Sequence, residues 1–303
     1  MKTIKMTGYA LAVALTVGTF IGCSSDDDNN NFTLPPIGGF NSSAEVGAAD
    51  LIAYWPMNGS GVESKSNTNP TSTVGTTFVT GVKGQAASMA DGYMVYPEIA
   101  ALGTTTGNMT VSTWAKVSNN KTLLSASASC LLTLTRPGDW AGNMNLLLET
   151  GQREASNDSI QVKGLVQIKK PDGSNNGQDI VNMIKQEPWM DATHSWNPNK
   201  VGGQWAHYVI VWNGTEGTFK IWVNGTEISN NAWEVRNGGD SLPLNFFTPT
   251  HPIIGALATY VDGTTLDTWN KPLTGQVDEM RIWKKALSAG DINALYQLEK
   301  AGR

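Results

Sequence analysis

Tryptophans that stand among polar residues are the side chains of this sequence with the most informative chemistry. The sequence contains 11 Trp; some alternate with apolar residues, as strand residues do, whereas others stand in stretches typical of loops, such as 136–140 and 187–191. A flat sugar face stacks on an exposed aromatic ring, while nearby amides and carboxylates bind the hydroxyls. The alternative is that long loops fold over these rings and bury them. We predict a glycan-binding surface formed by Trp140, Trp189, Trp196, Trp233 and Trp269, with polar contacts from Asp139, Asn143, Asp191, His194 and Asn197.

Catalytic groups are harder to find in this sequence. A retaining glycosidase needs two carboxylates about 5–5.5 Å apart on one strand face. Asp278 and Glu279 are adjacent, so strand alternation predicts that they point to opposite faces, and Glu149 stands alone. The three histidines show no metal-binding spacing, and His207 alternates with apolar residues as a hydrogen-bonded core histidine would. The sequence therefore does not favour an enzyme, although a divergent glycoside hydrolase or polysaccharide lyase is an alternative.

The charge balance indicates which partners to expect. The chain has 21 Lys+Arg against 26 Asp+Glu, a formal net charge of -5, and no basic cluster. Phosphate backbones require concentrated Lys and Arg, so the composition argues against nucleic acid. Hydrophobic residues make up 40% of the chain, which is enough to build a core.

The first residues are typical of an export signal. Lys2 and Lys5 precede the apolar run 9–21, which is too short for a membrane span and typical of a signal peptide. The run ends in Gly22-Cys23, which resembles a bacterial lipoprotein box, and the acidic residues that follow resemble the surface-export signature of Bacteroidota-type lipoproteins. An ordinary secretory signal is the alternative. We predict a signal peptide over 1–22, lipidation of Cys23, a polar tether and linker over 23–49, and display on the outer membrane.

Lipidation of Cys23 would leave Cys130 as the one free thiol, so no intrachain disulfide could form. Cys130 stands in the apolar stretch 130–134 and is predicted to be a small core residue.

The rest of the sequence, residues 50–303, has the pattern of one β domain. Short runs with a period of two are separated by Gly, Asn and Pro, and residues 205–212 and 218–223 form a predicted hairpin. Ser288 and Asp291 form a capping-box pattern that begins the one convincing helix. Many strands with one terminal helix predict a sandwich or jelly roll. Further predicted strands are 109–117, 131–135, 144–149, 160–169, 179–185, 252–258 and 275–283.

Three parts of the sequence resemble laminin G-like domains, which have the concanavalin A-like lectin/glucanase fold. Residues 204–228 resemble the central hairpin, 275–296 the closing strand and cap helix, and 51–58 with 81–86 the opening strand. The resemblance implies an all-β, concanavalin A-like jelly-roll sandwich of two antiparallel sheets with a short C-terminal helix.

The resemblance also implies a cofactor and a function. Laminin G-like domains often hold Ca²⁺ at a sheet edge through the Asp of the closing strand, which is Asp278 here, with Asn58 and Ser60 standing where an early-loop Asp is usual. The Glu-x-Asp-x-x-Glu strand of the superfamily's glucanases is absent. We therefore predict a non-catalytic, surface-anchored glycan-binding protein that holds polysaccharide near other surface glycan-utilisation proteins. A protein-binding adhesin is the main alternative.

Overall fold

Alternating apolar and polar residues fold into thirteen strands in the part of the chain that the structure describes. This structure is a computed structural model, which describes residues 34–103, 107–121, 127–248, 250–264 and 267–303. The predicted signal peptide and Cys23 lie outside the described residues. The strands are β1 Leu51–Trp55, β2 Ser72–Thr80, β3 Gln85–Val95, β4 Asn108–Lys116, β5 Ser129–Arg136, β6 Asp139–Leu148, β7 Val162–Lys169, β8 Asn175–Val181, β9 Trp205–Asn213, β10 Thr218–Val223, β11 Thr226–Glu227, β12 Pro252–Ile254 and β13 Leu273–Trp283. The helices are α1 Ala258–Val261 and α2 Ala289–Lys300.

The strands form one antiparallel sheet that curls into a sandwich. The order is β11-β10-β9-β4-β13-β3-β12-β5-β6-β7-β8, with β1 paired to β13 and β2 to β3. Distant parts of this path meet: a Cβ added to Gly164 on β7 would come within 2.6 Å of the Phe219 ring on β10. The predicted all-β jelly roll is confirmed, with the difference that hydrogen bonding runs continuously between the two layers.

The core lies between the layers. Met109, Val111 and Ala115 of β4 share its inner face and are fully buried, as their alternation predicts. Trp55 and Trp212 are the large rings of the same cluster.

Helix α2 lies on the outer side of the sheet. The Ser288 side chain accepts from the Asp291 N–H, and the Asp291 carboxylate accepts from the Ser288 N–H, so the predicted capping box is present. Ile292, Leu295 and Leu298 of α2 belong to a buried cluster with the outward side chains of β9, β10 and β13.

Some predicted boundaries differ from the structure. Residues 35–49, predicted as linker, belong to the same compact unit as the sheet, and Val46 is buried beside α2. The strand predicted over 252–258 ends at Ile254, and α1 follows. Strand β2 is missing from the predicted set because it is mostly exposed and has no continuous apolar face. No helix among the described residues is long and apolar enough to cross a membrane.

Candidate functional site

A partly exposed group of rings and one carboxylate is formed by the loop between β8 and β9 and the segment between β11 and β12. We call Trp189, Asp191, His194 and Trp233 the aromatic cluster. The Trp189 and Trp233 rings stack with centroids 6.0 Å apart and an interplanar angle of 18°. The His194 ring stands at 90° to Trp189 with centroids 5.1 Å apart, and also packs edge-on against Trp233. Trp189 is 56% exposed, so much of its ring is available to a ligand.

Hydrogen bonds between two loops hold the aromatic cluster together. The Ser195 hydroxyl donates to the Ser229 carbonyl at 3.0 Å, and the Ser195 N–H donates to the Asn230 side chain at 3.2 Å. The same Asn230 side chain caps the short 3₁₀ helix that carries Trp233. Backbone and side-chain bonds therefore fix the relative position of the two loops.

The carboxylate of the cluster is an acceptor held in place by its own loop. Asp191 Oδ1 accepts from the Thr193 hydroxyl at 2.6 Å, the Thr193 N–H at 2.8 Å and His194 Nδ1 at 2.9 Å. These bonds, the Thr193 hydroxyl first, lower the pKa of Asp191 to about 2. Asp191 is therefore an ionised, solvent-exposed acceptor beside stacked rings, an arrangement that suits a hydroxyl-bearing ligand.

The other predicted ligand residues of this region lie close by in the sequence. Trp196 is 48% exposed. Asn197 uses its side-chain oxygen to accept from the Asn199 N–H at 2.8 Å, so part of its hydrogen-bonding capacity serves the turn.

A second pair of rings is formed by Trp140 and Trp269. Their centroids are 5.4 Å apart at an angle of 82°, and both rings are partly exposed. Asp139 forms an ion pair with Arg136 across the turn between β5 and β6. Both Asp139 and Trp140 begin strand β6, so the loop position predicted for Trp140 is wrong.

The predicted contact from Asn143 to a ligand is also wrong. Asn143 is fully buried in β6, and its amide donates to the Thr135 carbonyl, the Phe247 carbonyl and the Thr250 hydroxyl. Its oxygen accepts from the Phe247 N–H at 3.0 Å. Asn143 therefore fastens the 247–250 loop to the sheet.

The predicted calcium ligands face hydrogen-bond donors. Asp278 accepts from the N–H groups of Val82, Lys83 and Glu279 at 2.8–3.1 Å, and Asn58 Oδ1 accepts from the Gln85 N–H. The described residues contain no group of three or more His, Cys, Asp or Glu placed to hold a metal. Ca²⁺ prefers several free oxygen ligands, so this arrangement does not fit it as a cage.

Asp278 and Glu279 do not point to opposite faces as alternation predicts. The pairing of β13 with β4 shifts register after Asp278, and Glu279 has a positive φ of 47°. Lys83 contacts both carboxylates. Its backbone N–H donates to Asp278, and its ammonium lies 4.0 Å from the Glu279 carboxylate. Burial raises the pKa of Asp278 to about 7.

The register shift after Asp278 is a β-bulge, and a buried charged layer next to it lies beneath α2. We define the charged layer as Glu279, Arg281, Glu299 and His207. Arg281 pairs with Glu279 at 2.6 Å and with Glu299 of α2 at 2.9 Å. His207 Nε2 is 2.6 Å from the Ser112 hydroxyl, and burial lowers its pKa to about 3. The prediction of a hydrogen-bonded core histidine is confirmed. These groups are closed off from solvent, so they offer no accessible acid–base pair.

Cys130 is buried as predicted, in a small apolar cluster with Leu147, Leu165 and Leu257. Burial raises the pKa of its thiol to about 12, so it is not a nucleophile.

The sequence did not reveal the cavities. One cavity, of about 530 Å³, lies beside the β5–β6 turn and is lined by Tyr96, Arg136, His251, Ile253 and Val261 among others. These residues are far apart in the sequence, so only strand order brings them together.

The curled sheet, its inner core and its capping helix define an all-β jelly-roll domain. The chain belongs to the concanavalin A-like lectin/glucanases superfamily, because residues 88–293 match that family. None of the curated proteins matches the sequence.

Several of the solved structures with a similar fold are binding domains of clostridial toxins. The binding domain of Paraclostridial mosquitocidal protein 1 has a TM-score of 0.54 and 13% identity, covering 82% of this chain and 52% of that one. The botulinum neurotoxin serotype D ligand-binding domain, in complex with N-acetylneuraminic acid, has a TM-score of 0.52 and 15% identity, covering 84% and 52%. The serotype G binding domain has a TM-score of 0.52 and 10% identity, covering 82% and 51%. This chain therefore spans about half the length of each of these three structures.

Proposed function

We propose that this protein is a non-catalytic glycan-binding module that a lipid on Cys23 anchors to the outer membrane. The aromatic cluster is the observation that carries the proposal. The Trp189 ring stacks on Trp233 and is still 56% exposed, and the ionised Asp191 belongs to the same cluster. A sugar ring stacks on the face of such a ring while its hydroxyls donate to the carboxylate.

The fold supports the proposal without deciding it, because one fold hosts many sites. The serotype D toxin domain, about half of which aligns with this chain, was crystallised with a sugar acid. Buried carboxylates beneath α2 support a binding role over glycoside hydrolysis, since a hydrolase needs carboxyl groups that reach the substrate.

A glycan array tests the proposal. The full-length protein, purified from membranes in detergent, is compared with Trp189→Ala, Trp189→Phe and Tyr260→Ala, the last an exposed ring outside the cluster. We expect saturable binding to one glycan class, a loss of about tenfold or more in Trp189→Ala, partial retention in Trp189→Phe and no change in Tyr260→Ala.

Two outcomes would contradict the proposal. A blank array with folded protein would exclude simple glycan capture and favour the protein-binding adhesin. Release of reducing ends or unsaturated sugars on long incubation would favour the enzyme.

The anchor and the calcium need separate tests. Metabolic labelling with a fatty acid should mark the wild type and leave Cys23→Ser unlabelled, and external protease should digest the protein on intact cells if it is surface-displayed.

Calcium binding at Asp278 stays a prediction. Calorimetric titration with CaCl₂, compared with Asp278→Asn, decides it, because a site at Asp278 would give heat only in the wild type.

A further inference from the structure

The turn between β5 and β6 separates two cavities. The smaller one, about 320 Å³, is lined by Arg136, Pro137, Gly138, Asp139, Phe247 and Thr248. The larger one, about 530 Å³, uses Arg136, Pro137 and Gly138 on its other side. Arg136 therefore faces both cavities, and both volumes fall within the range of small-molecule sites, about 300–1,000 Å³.

Two cations lie near the Phe247 ring, which lines the smaller cavity. The Arg136 guanidinium carbon is 4.8 Å from the centroid of the Phe247 ring, and the Lys169 ammonium is 6.0 Å from the same centroid. Asp139 pairs with Arg136, while Lys169 forms no ion pair within the described part of the chain. The site thus carries more positive than negative charge, in a chain whose formal net charge is -5.

Arg136 also has hydrogen-bonding capacity left over. Its side chain is 12% exposed, and its buried Nε has no hydrogen-bond partner. A buried donor without a partner destabilises the fold, so an acceptor supplied by a ligand would be favoured there. Guanidinium groups bind planar or tetrahedral oxyanions through several N–H groups at once.

We propose that Arg136 and Lys169 form a subsite for the carboxylate or sulfate group of an acidic sugar residue. The sugar part rests on the proposed function, whereas the preference for an oxyanion rests on the two cations and the unpartnered Nε. The ligand is then an anionic polysaccharide whose charged group lies at Phe247.

Matched sugar pairs test this inference on the full-length protein in detergent. Oligogalacturonate is compared with its neutral methyl ester, and a sulfated galactan oligosaccharide with its desulfated form, which separates carboxylate from sulfate. We expect the preferred acidic form to bind at least tenfold more tightly than its neutral partner at low salt. The preference should shrink as NaCl rises, because ions screen the cations.

Two lysine variants make the test specific. Lys169→Gln should lose about threefold to tenfold of the affinity for the acidic sugar and none for the neutral one. Lys170→Gln removes an equally exposed neighbouring charge and should bind like the wild type. Because Lys169 is exposed, the folding problem that could follow from changing the buried Arg136 is avoided.

The outcomes separate the two proposals. Equal affinity for acidic and neutral forms, or equal losses in the two lysine variants, overturns the oxyanion subsite and leaves glycan binding standing. Binding to none of these sugars or of the array glycans overturns the proposed function, and the subsite with it.

Discussion

The charged layer beneath α2 and the aromatic cluster use the same residue types in opposite ways. Both combine a histidine with carboxylates and aromatic neighbours. In the charged layer, Arg281 and Glu299 are buried and paired, and the buried His207 has its Nε2 3.7 Å from the Glu299 carboxylate. In the aromatic cluster, Trp189 and Asp191 are more than half exposed on loops. The two regions therefore differ in whether a helix covers the charged and aromatic side chains, and not in the chemistry of those side chains. Covered side chains stabilise the fold, whereas exposed ones are available to a ligand.

Removing the central cation should destabilise the protein more than any other substitution within the charged layer. Arg281→Met leaves Glu299 buried without a counter-ion and leaves Glu279 with only the partly exposed Lys83 ammonium, 4.0 Å away, which should lower the free energy of unfolding by about 3–5 kcal/mol. Urea unfolding at pH 7, followed by fluorescence and circular dichroism, measures this loss. The triple variant Glu279→Gln, Arg281→Met, Glu299→Gln should recover much of it, because no unpaired charge is then left. A loss of under about 1 kcal/mol in Arg281→Met would show that water reaches the layer.

The buried histidine of the same layer should give a pH dependence of intermediate size. Burial lowers the pKa of His207 from 6.5 to about 3, so its stabilising contribution is complete above pH 6.5 and is lost as the pH falls towards 3. Between pH 6.5 and 4.5, protonation of the unfolded chain should cost the folded state about 2–3 kcal/mol. His207→Gln lacks this proton uptake, so urea unfolding at both pH values should show a smaller loss in the variant.

The difference between wild type and His207→Gln isolates this effect. Asp278 acts in the opposite direction, because its pKa is raised to about 7 and its contribution to folding stability is lost as the pH rises from 3.8 towards 7. Asp278 is present in both proteins, so its effect cancels in the comparison. Parallel pH profiles for the two proteins would contradict the assignment to His207.

Alternation along the sequence was sufficient to predict which side chains of β4 face the core between the layers. It placed Met109, Val111 and Ala115 in the core and His207 among apolar residues, because the period of two follows directly from strand geometry. Together with the capping box, this pattern and the family resemblance predicted the fold class. The polar neighbours of five tryptophans indicated that some of these rings would be exposed but not which, and Trp189 is one that is.

Contacts between distant residues could not be predicted from the sequence. Asn143 is buried because it bonds Phe247, 104 positions away, and Asp278 accepts from Val82, 196 positions away. The bulge at Glu279 depends on the pairing of β13 with β4, which no local pattern encodes. The Arg136 subsite was missed for the same reason, since Lys169 and Phe247 meet it only in the folded sheet.

The cap of α2 should contribute less than the charges beneath the helix. Ser288→Ala removes the acceptor for the Asp291 N–H, which should cost about 1 kcal/mol of stability. Ser288→Asp is the matched control, because an aspartate at the cap can accept the same bond. Urea unfolding at neutral pH compares the three proteins, and equal stability of all three would mean that packing alone fixes the start of α2.

The smallest expected effect is that of Trp189→Ala on stability, which should stay within about 0.5 kcal/mol because the ring is largely solvated. The same substitution at Trp212, which is fully buried between the layers, should cost about 3–5 kcal/mol. Urea unfolding of both variants compares the stability lost when a tryptophan side chain is removed from a buried region and from an exposed one. If Trp189→Ala is nearly neutral for folding and still weakens glycan binding, its exposed ring is retained for a ligand. A loss above about 2 kcal/mol would instead show that the aromatic cluster stabilises the conformation of the β8–β9 loop.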